Sequence, residues 1–514
     1  MANEIRGDSI GGENGAAHAF DVVVYGGTSA GVIGAVQAVK MGKRVAIIEP
    51  SARLGGLTSG GLGDTDFGDK SAIGGLSREF YARLGRKYGQ EEPVWMFEPK
   101  AALDVFGDFV KEYEIPVFYG ERLDLAGSVT KTGNRIDSIR MESGMTFKAG
   151  VFLDTSYEGD LMAGAGVSYS LGREANAVYG ERYNGIQTAA AVKNQLPAGI
   201  DPYVVPGRPS SGLLPGVNPD AGGNDGDGDS RIQAYCYRMC LTDAPGNRMP
   251  IERPDGYDER DFELLFRAIE RGQSKFFKLR MLPNRKTDSN NDDGFSTDFL
   301  GMSDRYPEAG YKEREAIAQA HERYQRGLVW TLQHHPRVPE MLRAFYEPWG
   351  LPLDEFADNG HWTPQLYVRE SRRMIGELVM TEHHVMSRET ADDPVGMGSY
   401  TMDSHNVQRY VDVNGFVRNE GDIQIRTPCP YPVSYRSIVP RERECANLIV
   451  PVCLASSHIA YGSIRMEPVF MALAQSAATA AAMALEANIP VQRVDYGRLR
   501  RRLLADGQVL TAPC

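Results

Sequence analysis

The clearest pattern in the chain is an apolar, β-branched run at Val22 to Tyr25 that gives way to glycines and then to small apolar residues at helical spacing. The run predicts a buried parallel strand, the glycines a tight turn over Gly26 to Gly31, and the spacing a helix from Ser29 to Met41. A second apolar run, Arg44 to Glu49, predicts a neighbouring strand that ends in a carboxylate. A strand, glycine turn and helix followed by an acid-tipped strand can rest a dinucleotide's pyrophosphate on the helix N-terminus and its ribose hydroxyls on the acid. Thr28 stands where that fingerprint usually carries its second glycine.

Directly after Glu49 comes Pro50 to Gly63, a loop with five glycines (Gly55, Gly56, Gly60, Gly61 and Gly63) that can lay its amides against a flat ligand. Arg53 is placed to neutralise pyrophosphate charge, and Thr58 and Ser59 to bond it or a ribityl chain. Later, Val151 to Asp154 predicts another strand, followed by a polar turn and a helix that begins near Gly159. Ala460 to Met471 predicts a turn leading into an alanine-rich helix, Ala472 to Ala487. Helical periodicity with charged faces recurs at 258–272, 313–332 and 339–346. The segment Leu196 to Ser230 is rich in proline, glycine and aspartate and reads as a mobile lid.

Composition narrows the classes. The chain has 514 residues, 42 % of them hydrophobic, enough for two intimate domains with a sizeable core. Its net charge of −12, without a dense basic stripe, argues against nucleic acid as a partner. No continuous stretch of eighteen apolar residues is present, which argues against a membrane span. The first nineteen residues are polar and glycine-rich and read as a disordered arm; location is expected to be cytoplasmic, or exported if a signal peptide precedes this sequence. A homo-oligomer is compatible with all of this. The six cysteines form no metal-spaced set. On a strand Cys236 and Cys240 would stand roughly 13 Å apart, too far for a bridge. Asp225 to Asp229 begins like a calcium loop, but Ser230 and Cys236 stand where its glycine and glutamate belong, so no metal is expected.

The ordered motifs GGTSAG (26–31), GGLTSGGLGDTD (55–66), IGGLSREFY (73–81), DTSYEGDL (154–161), YVRESRRM (367–374), MDSHNVQR (402–409) and SSHIAYGSIRMEP (456–468) resemble those of a bacterial branch of the FAD-dependent oxidoreductases with a glutathione-reductase-like FAD domain. The likeness runs from about residue 20 to 510. It implies FAD as cofactor and an α/β fold: a glutathione-reductase-type Rossmann domain with an inserted α+β substrate or cap domain. The expected division is FAD domain 20–190, cap 191–424, and a return of the FAD domain with C-terminal helices over 425–514. The implied cofactor contacts are Gly26, Gly27, Thr28, Ser29, Ala30 and Gly31 in the first turn and Glu49, Pro50 and Arg53 after the second strand. Further contacts are Gly55, Gly56, Leu57, Thr58, Ser59 and Gly60 in the loop, Asp154, Thr155 and Asp160 in the second turn, and Arg465 and Met466 at the late helix, whose dipole would face the flavin.

Oxidation of an alcohol or amine needs a base for the heteroatom proton, and histidine titrates nearest neutrality. Of nine histidines, His458 lies beside the flavin-facing turn and His405 sits in a polar knot with Asp403, which can orient it. Arg465 and Arg369 are candidates for binding a carboxylate or an oxyanion. The polar residues Asp64, Asp66, Asn284, Asp288, Asn290 and Asn291 suit a hydroxyl-rich small molecule, a sugar-like alcohol or an amine. No second strand-glycine-helix unit occurs, so electrons are expected to leave to an external acceptor: oxygen, a quinone or a redox protein. A flavin-dependent reductase of an activated double bond and a flavin-binding module without turnover are the alternatives.

Overall fold

Five parallel strands set the frame. The computed structural model describes residues 17–511, and its central sheet runs β3 (Val117–Tyr119), β2 (Val45–Glu49), β1 (His18–Tyr25), β6 (Thr146–Asp154), with the short strand Leu448–Ile449 parallel to β6 on the far side. The antiparallel strands β4 (Val129–Thr132) and β5 (Arg135–Arg140) extend the first half of β6. The expected arm ends earlier than its composition suggests, because His18 and Ala19 pair with Phe147 and Lys148 of β6 and so belong to β1. The rest of that arm, residues 1–16, lies outside the described residues.

The chain leaves β1 to one side for β2 and β3 and later returns to the other side for β6. The carboxyl end of β1 is therefore a switch point, where an open α/β sheet leaves a crevice for ligands. Three sequence-predicted turns converge there: Gly26 to Gly31 after β1, Glu49 at the end of β2, and Asp154 to Ser156 at the end of β6. The helix α1 (Ser29–Lys40) is capped by Thr28, whose Oγ1 accepts from the Gly31 amide and donates to the Thr155 carbonyl at 2.8 Å.

The alanine-rich helix is longer than its periodicity suggested. It spans Glu467–Ala487, preceded by the short helix His458–Ile464, and runs beside α1 through the pairs Ser29 with Glu467, Gly34 with Ala474 and Gln37 with Thr479. Small side chains on both helices permit this close approach. Among the described residues it is also the one helix long and apolar enough to cross a membrane, because its alanines raise its apolar character without bulk. With 89 % of that window buried, it is a core helix.

One continuous apolar core runs from Val22 and Phe106 through Tyr235 and Leu328 to Phe470. The helices expected at 258–272, 313–332 and 339–346 form at Glu263–Glu270, Tyr311–His334 and Glu340–Tyr346. Arg267 ties the segment 196–230 down by donating to the carbonyls of Asp201 and Tyr203, both at 2.8 Å, and to that of Val204. Asp225 accepts from the Thr188 amide and hydroxyl and from the Ala189 amide, which joins its loop to the segment 188–189. Cys236 and Cys240 are free, buried thiols.

Candidate active site

The cofactor cradle is built by close backbone approach. Gly26 has φ +97°, and a Cβ on Gly31 would lie 2.0 Å from the Gly26 carbonyl oxygen, so the turn closes only with glycine at both positions. The buried Glu49 carboxylate accepts from the Gly27 amide at 2.6 Å and from the Ser51 amide at 2.7 Å, one bond on each oxygen, and keeps lone pairs for ribose hydroxyls. These features fit FAD: Glu49 would hold the ribose, Gly26 to Gly31 with the buried Ser29 and Ala30 the pyrophosphate. We expect Gly31→Ala to weaken FAD retention on the order of tenfold or more, the effect of about 1–3 kcal/mol of overpacking. The ratio of flavin to protein absorbance after gel filtration measures it, and unchanged loading would refute it.

The other predicted contacts divide. Ser29 and Thr58 donate to one oxygen of the buried Glu467 carboxylate at 2.6 and 2.7 Å, and Tyr157 donates to the other at 2.9 Å. The Leu57 amide in turn donates to the Tyr157 hydroxyl, and Gly55 and Gly56 pack on Phe106 and Tyr157. Burial raises the Glu467 carboxyl above its ordinary range. Arg53 stacks 4.9 Å from the Phe356 ring and donates to the Ser59 carbonyl; Pro50 is half-buried, and the Gly60 amide donates to Leu57 within the loop. Two carboxylates are already committed to protein partners. Asp154 accepts from the Ser156 amide and hydroxyl and from the Met162 amide, and Asp160 binds Arg314 and Arg372 at 2.6 to 2.8 Å. Thr155 donates to the carbonyls of Tyr25 and Gly26.

A cleft of about 320 Å³ is lined by Asp64, Asp66, Arg238, Asp288, Asn290, Asn291, Tyr367, Tyr400, Asp403 and His405, with Lys278 and Arg280 toward its rim. Asn284, which the sequence groups with these residues, instead bonds Glu98. Three consecutive residues join cleft and cradle. Arg465 donates to the Tyr367 hydroxyl at 2.8 Å and to Asp403 Oδ2 at 3.1 Å; Met466 is the N-cap of the helix 467–487; Glu467 reaches the glycine turn.

His405 stands in the cleft wall between two acids. Its Nδ1 is 2.7 Å from Asp298 Oδ2 and its Nε2 is 3.3 Å from Asp403 Oδ2. Burial and Arg369 oppose the imidazolium, but the two carboxylates outweigh them and raise its pKa. Asp403 moves the other way: burial resists its ionisation, yet His405 and Arg465 hold it below the carboxylate range.

His458 is one layer behind. It opens the helix His458–Ile464, with Nδ1 2.7 Å from Glu370 and Nε2 3.0 Å from the Ser404 hydroxyl, and burial, aided by Arg373 and Arg173, pushes it down to about 3. Arg369 is wholly buried against Asp298, Asn290 and Cys236. Sequence reading missed Asp298, Tyr367, Arg238 and Glu467 as site residues. Glu467 left a signal, a lone acid in an apolar helix start. Asp298 left none, since it meets His405 from 107 residues away.

A family model described as FAD dependent oxidoreductase matches residues 21–503. Comparison with curated protein sequences found no match. Similar solved structures include L-proline dehydrogenase from P. horikoshii, 16 % identical over 31 % of this chain and 59 % of that one, with TM-score 0.24. Another is a flavin-containing monooxygenase from Stenotrophomonas maltophilia, 18 % identical over 33 % and 45 %, with TM-score 0.20. A third is thioredoxin reductase from T. acidophilum, 21 % identical over 32 % and 40 %, with TM-score 0.19. The alignment spans less than two thirds of each of these chains.

Proposed function

Because the chain belongs to the FAD-dependent oxidoreductase family and is an enzyme that works with FAD, we propose that it oxidises a neutral, hydroxyl-rich small molecule, a sugar-like alcohol or its amine analogue, and passes the electrons to an external acceptor such as oxygen, a quinone or a redox protein. The observation that carries this reading is the charge balance of the cleft. Its lining holds four carboxylates (Asp64, Asp66, Asp288 and Asp403) against Arg238, Lys278, Arg280 and His405. The guanidinium groups at its wall are already matched, while Lys278 at the rim makes no ion pair among the described residues: Arg238 forks onto Asp288 at 2.7 Å twice, Arg280 binds Asp64 at 2.8 Å, and Arg465 binds Asp403. An anionic substrate would meet no uncompensated guanidinium there, which disfavours an anion clamp for an unsaturated acid. A neutral polyol instead meets alternating donors and acceptors on Asp66, Tyr400, Asn290 and Asn291.

Bound FAD supplies the two-electron acceptor. The protein's share is proton handling: His405, once neutral, takes the substrate's heteroatom proton at Nε2, and the Tyr367 hydroxyl, which accepts from Arg465, keeps its own proton to donate to a substrate oxygen. Anaerobic mixing of the yellow protein with a panel of polyols and amino-polyols should bleach the oxidised flavin. Bleaching only by a chemical reductant, with reoxidation by an unsaturated acid, would overturn this reading in favour of the reductase.

A further inference from the structure

The arrangement behind the cleft wall assigns a role to a residue outside every motif of the sequence. We propose that Asp298 is a positioning residue that fixes which nitrogen of His405 faces the substrate; this rests on the reading of His405 as the base. Asp298 and His405 are both buried, and Asp298 Oδ2 stands 2.7 Å from His405 Nδ1. An ionised carboxylate is an acceptor only, so Nδ1 carries a proton and Nε2 is the nitrogen that gains and loses the second one. Asp298 stays ionised, although burial resists it, because Arg369 Nη2 lies 3.0 Å from its other oxygen and His405 adds a second positive partner. Arg369 thereby acts as the counter-ion of Asp298, two steps removed from the substrate.

The charged groups that face the imidazole come from every side of it. Asp298 lies beneath, Asp403 is on the strand Met402–Ser404 that leads into His405 with Arg465 behind it, Arg369 follows the strand Leu366–Tyr367, and Asp422 directly precedes the strand Ile423–Ile425. Of these, Asp298 is the one in hydrogen-bond contact with Nδ1. Without its charge the imidazolium loses its nearest counter-ion; without its oxygen the ring loses the shorter of its two carboxylate contacts, 2.7 Å at Nδ1 against 3.3 Å from Nε2 to Asp403, and with it the preference for the proton on Nδ1.

The test uses FAD-loaded protein labelled with ¹⁵N-histidine, the His405 signals being identified by their loss in His405→Gln. In the wild type, Nδ1 should carry the proton in the neutral form and the ring should titrate above 6.5. Asp298→Asn keeps the size and an acceptor oxygen but not the charge, so the midpoint should fall by about 1–3 pH units with the tautomer retained. In Asp298→Leu the tautomer preference should vanish as well; if Leu prevents folding, the Asn variant, checked by retained flavin absorbance, decides alone. A wild-type neutral ring protonated at Nε2, or an unchanged midpoint in Asp298→Asn, would overturn the proposal. If these signals behave as expected while no polyol bleaches the flavin, the functional reading fails and the positioning of His405 stands.

Discussion

Lys286→Met should lower the free energy of unfolding by about 3–5 kcal/mol, the cost of leaving buried charge without its partner. The Lys286 side chain is fully buried, and its ammonium donates to Glu98 Oε1 at 2.7 Å, Asp354 Oδ2 at 2.8 Å and Glu355 Oε1 at 2.8 Å. All three of its protons are thus spent on carboxylates. Glu98 is the N-cap residue of the helix Pro99–Glu112, and Lys286 lies 188 residues further along the chain, so one ammonium clamps distant segments together. Methionine fills a similar volume and supplies no charge, leaving Glu98 and Glu355 buried face to face. Burial works against the Glu98 charge, but Lys286 holds its pKa below the ordinary value. A carboxylate depressed in this way stabilises the fold above its unfolded pKa and loses that contribution as pH falls through the folded one, so the deficit of the variant should shrink toward low pH. Denaturant unfolding of both proteins at two pH values measures this, and a loss below about 1 kcal/mol at neutral pH would show that the clamp is not needed.

His405→Gln should slow substrate-driven flavin reduction by about 10²–10⁴-fold, the range that general-base catalysis contributes, while FAD content stays unchanged. Glutamine keeps a polar side chain in the wall but has no nitrogen that accepts a proton near neutrality. The pH profile separates the base from a mere contact. Asp298 and Asp403 raise the His405 pKa against the opposing effect of burial. Wild-type reduction should therefore accelerate as pH rises through a midpoint above 6.5, and the variant should lack that limb. Stability runs the other way: a histidine with a raised folded pKa stabilises the fold below its unfolded pKa and loses that contribution as pH rises through the folded one. Stopped-flow absorbance with any polyol that bleaches the flavin reads the rate. A full-speed His405→Gln enzyme with an unaltered pH profile would remove His405 from the chemistry.

The cradle was legible along the chain because its parts are local. A β-branched run, glycines at a tight turn and an acid at the end of the next strand are close in sequence, and each follows from backbone sterics or from the alternation of buried strands. Of the polar set Asp64, Asp66, Asn284, Asp288, Asn290 and Asn291, all but Asn284 line one cleft; Asn284 bonds Glu98. Periodicity erred where local and global signals part: the helix 467–487 begins earlier than its alanines, and His18 joins β1 although the composition of the first nineteen residues reads as an arm, because a partner strand supplies the pairing.

The division of labour between the two candidate histidines could not be read from the chain. His458 and His405 both sit in polar, motif-rich surroundings, and Asp403, two residues before His405, is the one sequence neighbour singled out to orient either ring. What separates them is packing between distant segments. Glu370 and Ser404 enclose one ring, where burial holds it neutral; Asp298, from the middle of the cap, and Asp403 flank the other at the cleft wall and charge it. The amino-acid sequence thus specified the cofactor and the glycine turn that we propose to hold it, since backbone conformation is set over a few residues. The choice of His405 as the proposed base, and its protonation state, depended on charges brought together across more than a hundred residues, because Coulomb energy follows distance in space and not position along the chain.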